Sequence, residues 1–172
     1  MPAPFNTIDL TSLALKPGEA SRVDADLRVA GFDLGGQSYA VEPAALPVRL
    51  DVSRTVAGHA LRLRLGARLA GPCMRCLTHP HVPNEVDARE VDQPGTDDEE
   101  LRSPYVEDGV LDVERWVHDA IALALPQTVL CRVDCAGLCP ECGISLNDVD
   151  PQTHVHERAP DPRWAKLREL QE

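Results

Sequence analysis

The chain has 172 residues, 43% of them apolar and 26% charged, which is the make-up of one globular domain of ordinary size, with room for a small appendage, and not of a disordered segment. Aromatic residues are only 3%, so a core must be built from Val, Leu, Ile and Ala. Seventeen Lys and Arg stand against 28 Asp and Glu, for a net charge of −11. That excludes a surface that tracks nucleic acid over its whole extent, because phosphate binding relies on positive potential, but it leaves room for a local basic patch.

The N-terminal MPAPFNTIDL has no basic stretch followed by an apolar one, so it predicts no export signal. The longest purely apolar run, Ala120 to Leu125, has six residues against the ~20 that a membrane helix needs. A cytoplasmic address without membrane attachment is expected. Over residues 1–45, Phe5, Ile8 and Leu10 alternate, and turn signals follow at Pro17-Gly18, Gly31 and Gly35-Gly36. This predicts a short edge strand or arm, a polar connector, and a loop through Gly35.

From Leu46 to Val56, Leu46, Val48, Leu50 and Val52 alternate with polar or exposed positions, the period of a half-buried strand. Ala57-Gly58-His59 turns the chain, and Leu61, Leu63, Leu65 and Leu69 continue the alternation, so the pair is a hairpin. A third strand is expected over His81 to Val91. Residues 92–108 carry seven acids against one Arg and predict a solvated acidic loop, mobile in part. The helix signal comes next, with Asp112 at the N-cap, Glu114 in the first turn, an apolar face of Val113, Trp116, Val117, Ala120, Ile121 and Ala124, and a stop at Pro126. A last short helix opens at Asp161-Pro162, with Trp164, Leu167 and Leu170 on one side.

Six cysteines in a reducing compartment read first as metal ligands and not as a disulfide framework. Cys73 and Cys76 form one CxxC knuckle at a strand end, and Cys139 and Cys142 form a second, followed by Gly143 where a positive φ is wanted. Cys131 and Cys135 make a CxxxC pair, and His154 and His156 lie twelve and fourteen residues past Cys142. Two such thiolates from one tight turn can reach a single tetrahedral zinc ion. In one assignment Cys73, Cys76, Cys131 and Cys135 hold one ion and Cys139, Cys142, His154 and His156 a second. In the other there is a single ion, on Cys139 and Cys142 with either the first knuckle or Cys135 and a His. Either way the zinc is structural, since closed thiolate sites leave no place for a reacting water. His59, His79, His81 and His118 are expected as surface or turn residues.

Enzymatic alternatives fare worse. A zinc deaminase needs an upstream His-x-Glu, and the upstream histidine, His59, is followed by Ala60 and Leu61. A thioredoxin-like CxxC opens a helix, whereas Cys76 leads into Leu77-Thr78-His79-Pro80. The remaining candidate is a basic stripe: Arg62, Arg64 and Arg68 share one parity on the second strand, with Arg49 on the polar face of its neighbour. Charged residues on the wet face of an antiparallel sheet are ordinary. If the stripe has a function, it is where an RNA backbone would sit.

Gly71-Pro72-Cys73-Met74-Arg75-Cys76-Leu77 resembles the C-x-R-C-L motif of the bacterial YceD family, the large ribosomal RNA subunit accumulation proteins. Leu123-Ala124-Leu125-Pro126 is similar to the end of that family's E-x-I-x-L-x-L-P segment, with Asp119 in the place of the usual Glu. Cys135-Ala136-Gly137-Leu138-Cys139-Pro140-Glu141-Cys142-Gly143 through Asn147 resembles the C-x-G-L-C-P-x-C-G-x-x-L-N tail of many members. Asp161-Pro162-Arg163-Trp164 resembles an ending found in members from high-GC bacteria. Several members place two further cysteines where this chain has His154 and His156, an exchange that preserves zinc chemistry.

The resemblance implies a non-enzymatic factor supporting synthesis, processing or stability of 23S rRNA. It would act on the rRNA or its precursor particle directly, or through a ribosomal protein or processing factor, with no small-molecule substrate. The alternative is a zinc-dependent protein-interaction adaptor with no direct RNA role. The expected architecture is α+β: a sheet-plus-helix part over 1–130 and a Cys/His-rich metal-binding tail over 131–172.

Overall fold

A computed structural model describes residues 6–150 and 153–156. The expected terminal helix and Phe5 lie outside the described residues. The fold is mostly antiparallel sheet with one α-helix, an α+β arrangement. Its strands are β1 (Thr7–Asp9), β2 (Ala20–Leu27), β3 (Phe32–Leu34), β4 (Gln37–Glu42), β5 (Leu46–Arg54), β6 (His59–Ala70), β7 (His81–Asp92), β8 (Val106–Glu107) and β9 (Val110–Asp112), and its helix is α1 (Val113–Leu123).

The hairpin of β5 and β6 is the centre of the larger sheet. Leu46, Val48, Leu50 and Val52 of β5 and Leu61, Leu63, Leu65, Ala67 and Leu69 of β6 are all buried, so the period-two pattern sends one parity inward on each strand. β6 is the longest-paired strand. β5 and β4 lie end to end along one edge of it, and β7 runs along the other for its full twelve residues. β7 was the weakest strand signal because Val86 is its one buried aliphatic residue, amid charged and small neighbours.

Residues 20–27, expected as a polar connector, form the edge strand β2, paired with β5 from Ala20↔Ser53 to Leu27↔Leu46. Of its inward positions Ser21, Val23 and Ala25 are only half buried and Leu27 alone is fully so, which leaves the alternation little hydrophobic contrast. The expected loop through Gly35 is the turn of a β3–β4 hairpin, in which Gly35 and Gly36 have φ of 58° and 78°. The acidic stretch also has more order than its composition suggests. Asp92 is the buried last residue of β7, Asp98 caps a 3-10 turn by accepting from Glu100 N at 3.0 Å, and Gln93 N donates to Leu101 O. Asp97 to Glu100 are exposed, as expected.

The helix forms with the cap and most of the apolar face that its sequence predicts, but it ends at Leu123, and Ala124, expected on that face, is an exposed C-cap. The Asp112 carboxylate accepts from Arg115 N at 3.0 Å, and Val113, Trp116, Val117, Ala120 and Ile121 are buried against the sheet. β1, β9 and β8 make a small second sheet leading into its N-terminus. Asn84 Nδ2 of β7 donates to Ile121 O and fastens the helix end to the sheet. His59, expected at a turn surface, is buried in β6, and burial followed by the nearby Arg54 lowers its pKa. After α1 the chain passes the buried Val129 and returns to the end of β6, where Cys73, Cys76 and Cys135 pack with Leu130 and Leu138 as a second small core.

Candidate metal centres

Both knuckles have the same local geometry. Leu77 N donates to Cys73 O at 3.0 Å, and Gly143 N donates to Cys139 O at 2.8 Å. The residue after the second cysteine takes a left-handed conformation in each, with φ of 61° at Leu77 and 73° at Gly143. Backbone N–H groups converge on the first sulfur of each turn, those of Arg75 and Cys76 on Cys73 and those of Glu141 and Cys142 on Cys139. Such a cradle favours thiolate over thiol. Burial pushes the Cys73 thiol up, yet these N–H groups together with that of Cys131 hold it down at about 6. Cys139 is also lowered to about 6, first by the His154 ring and then by Cys142 N–H, against a smaller effect of burial.

The eight candidate ligands fall into two groups, within each of which all ligand atoms lie within 4.8 Å of one another. One is Cys73, Cys76, Cys131 and Cys135, and the other is Cys139, Cys142, His154 and His156. This is the two-centre pairing. In the first group Cys73 Sγ is 3.8 Å from Cys135 Sγ and Cys76 Sγ is 3.5 Å from Cys131 Sγ. In the second, Cys139 Sγ lies 3.3 Å from His156 Nε2, Cys142 Sγ 3.6 Å from His154 Nε2, and the two Nε2 atoms are 3.0 Å apart. Zinc bonds of ~2.3 Å to sulfur and ~2.0–2.1 Å to nitrogen give tetrahedral edges of ~3.8 Å for S···S, ~3.5 Å for S···N and ~3.3 Å for N···N. The separations match those edges within about 0.3 Å, so both donor sets fit a tetrahedral, thiophilic ion.

The four thiols of the first group compete for charge. Cys73 favours the thiolate, Thr78 lowers Cys76 through its side chain and then its backbone, and Cys131 is pushed up to about 12, chiefly by the neighbouring Cys76 thiol. A bound divalent cation would offset that competition, with Cys73, Cys76, Cys131 and Cys135 as its four thiolate ligands. The sign of the pH dependence follows. At neutral pH Cys131 keeps its proton in the metal-free chain, and binding must expel it, so acid opposes loading. Metal titration in weakly buffered solution should release protons, and fewer per ion bound in Cys131→Ala than in the unchanged chain.

Two side chains that support the first centre, Thr78 and Asn147, carry no ligand signal in the sequence, and a backbone N–H of one ligand supports another. Thr78 Oγ1 is 3.1 Å from Cys76 Sγ, and Cys131 N donates to Cys73 Sγ at 3.4 Å. Asn147 Nδ2 donates to Cys135 Sγ at 3.5 Å, while its Oδ1 accepts from Ala136 N at 2.8 Å and Arg132 Nη2 at 3.0 Å. Asn147 lies in the L-N of the quoted tail, which was the one available signal.

The four candidate RNA-contacting arginines share a sheet face, but their charges are unequally available. Arg49 Nε donates to Asp24 at 2.8 Å, Arg62 grips Asp87 through two nitrogens at 2.8 and 2.6 Å, and Arg64 pairs with Asp51, which also receives Arg22. Arg68 is exposed, faces Glu42 and Pro83 on the flanking strands, and makes no salt bridge among the described residues. His79, His81 and His118 are outside both metal groups: His81 Nδ1 lies 2.8 Å from Glu42, and the His118 ring stacks on Phe32.

The fold and site together define a small sheet-and-helix protein whose tail meets the sheet end in one cluster of metal-competent ligands and carries a second cluster of its own. The family described as "Large ribosomal RNA subunit accumulation protein YceD" matches residues 61–171, and the chain belongs to that family. It is also similar to "Uncharacterized protein Rv2926c" of Mycobacterium tuberculosis, at 33% identity over 170 residues, covering 95% of this chain and 80% of the relative. "Uncharacterized protein ML1660" of Mycobacterium leprae is 33% identical over 169 residues, covering 94% and 76%. No solved structure matches the chain. No helix among the described residues is long and apolar enough to cross a membrane.

Proposed function

We propose that this chain is a non-enzymatic, cytoplasmic ribosome-biogenesis factor that supports synthesis, processing or stability of 23S rRNA, with zinc at both centres as structural cross-links. The observation that carries the reading is family membership across residues 61–171, a span that takes in both knuckles and α1. The role of the ions is to clamp a chain whose aromatic content, 3%, leaves little else to fasten its tail. The test is the 23S-to-16S ratio after depletion of the protein, with rescue by an unchanged copy. A rescued fall in 23S supports the role, and an unchanged ratio in a strain with no second family member contradicts it.

A second reading, an adaptor that reaches rRNA through a basic protein, is favoured by the sheet face. Three of its four candidate arginines are already paired with carboxylates, and the chain carries −11 overall. The two readings separate in binding to rRNA fragments. Direct contact predicts that Arg68→Glu weakens binding and reduces the salt slope by about one. Arg62→Glu and Arg64→Glu instead set like charges against Asp87 and Asp51 and lower the melting temperature. Absence of salt-dependent binding in the unchanged chain favours the adaptor.

A further inference from the structure

We propose that the two centres differ in kind: Cys73, Cys76, Cys131 and Cys135 hold a permanent ion, and Cys139, Cys142, His154 and His156 hold an exchangeable one. The inference rests on the metal-binding reading of the two clusters and is independent of any rRNA role.

The first argument is chain topology. The four ligands of the first centre come from two segments separated by residues 77–130, which include β7, the acidic stretch and α1. To release its ion, the 131–135 segment must leave the end of β6. That breaks the Arg75 Nη1 to Cys135 O bond at 2.9 Å and the Cys131 N to Cys73 Sγ bond at 3.4 Å, and exposes the small core around Cys73, Cys76 and Cys135. The second centre is local, with all four ligands between 139 and 156, so it opens by rearranging one short segment. Local openings have smaller free-energy costs than openings that detach packed elements.

Access to the ligands points the same way. Cys73, Cys135 and Cys76 are 0%, 1% and 5% exposed, and Cys131 alone of that group is open to solvent. In the second group Cys142 and His156 are exposed and His154 is half-buried, leaving Cys139 as the one buried ligand. An attacking chelator can therefore replace the ligands of the second centre one at a time.

The third argument is charge. Four thiolates around a divalent cation leave an excess of two negative charges, which the structure answers with donors at Cys73, Cys76 and Cys135 from Cys131 N, Thr78 and Asn147 Nδ2. Two thiolates and two neutral imidazoles leave none. Imidazole is also the ligand more readily surrendered, because it leaves as a neutral base. Asn147 then has a directional role. It follows the second knuckle in sequence but hydrogen-bonds the first centre's Cys135, so the permanent ion holds the base of the 139–146 turn whether or not the exchangeable ion is present.

The test uses the full chain loaded with zinc, and 4-(2-pyridylazo)resorcinol as the chelating probe. Release should occur in two phases of equal amplitude, one ion each, with rate constants differing by about ten-fold or more, as expected when one opening is local and the other sub-global. His156→Ala should abolish the fast phase and keep the slow one, with an unchanged far-ultraviolet spectrum to show that the sheet is intact. Cobalt(II) added once the fast phase has drained and the probe has been removed should fill one equivalent and give the visible absorption of a mixed sulfur–nitrogen tetrahedron, not of four sulfurs. A single phase for both ions, one ion per chain, a fast phase that survives His156→Ala, or cobalt entering with an all-sulfur spectrum would each overturn the proposal.

Discussion

Cys73→Ser should lower the melting temperature by about 10 °C or more and reduce bound zinc from two ions to one. The residue is fully buried, is the thiolate on which the N–H groups of Arg75, Cys76 and Cys131 converge, and stands 3.8 Å from Cys135. A serine hydroxyl offers a hard, protonated ligand in place of that thiolate. Loss of the ion then unties Cys76 from Cys131, a closure spanning residues 77–130 that is worth ~4 kcal/mol in the cross-link entropy model. In a chain of this size ~1 kcal/mol moves the melting temperature by ~2–4 °C. Cys139→Ser should instead loosen the second knuckle and the segment that carries His154 and His156, and leave the sheet and the first centre standing, because its centre is local. Limited proteolysis and thiol-reaction rates would distinguish the two variants, and equal melting temperatures for both would contradict the topological argument.

Trp116→Ala should have a comparable effect on stability and none on metal content. Trp116 is 1% exposed, is among the largest side chains in the core, and stacks on Tyr105 with ring centroids 6.0 Å apart and ring planes inclined at 23°. Truncating a buried tryptophan costs ~3–5 kcal/mol, which here is about 10 °C. The helix face that it anchors, with Val117, Ala120 and Ile121, packs in the main core and not in the small core around Cys73, Cys76 and Cys135, so the folded variant should still bind two zinc ions. Calorimetry with metal analysis on the same sample checks both halves. Loss of zinc from folded Trp116→Ala would mean that the helix–sheet core and the metal lobe are one cooperative unit.

Much of this architecture could be read from residue order. The β5–β6 hairpin was legible because Leu and Val alternate with charged residues over nearly its whole length, and α1 was legible down to its cap at Asp112. β2 was not, because Ser21 and Ala25 occupy inward positions where larger apolar residues would have announced a strand. The eight candidate ligands could be picked out by spacing, and their two-centre pairing was one of the two assignments that spacing allowed; the path of the chain decides between them. Nothing local to Cys131 says that it meets Cys76, since the encounter depends on the path of β7 and α1 between them.

The arginines show the same limit from another side. Parity correctly placed Arg49, Arg62, Arg64 and Arg68 on one face, but their carboxylate partners sit on other strands, in a register that only pairing fixes. Leu77 was invisible for a different reason. It occupies the left-handed seat that Gly143 takes in the second knuckle, where only the glycine advertises the turn.

The most direct measurement is native mass spectrometry of the intact chain, purified without oxygen and without chelator. The account predicts a single species carrying two zinc ions and six cysteines that resist alkylation until the metal is removed. A chain that carries no zinc, or six thiols that alkylate together at the rate of free cysteine, would contradict it.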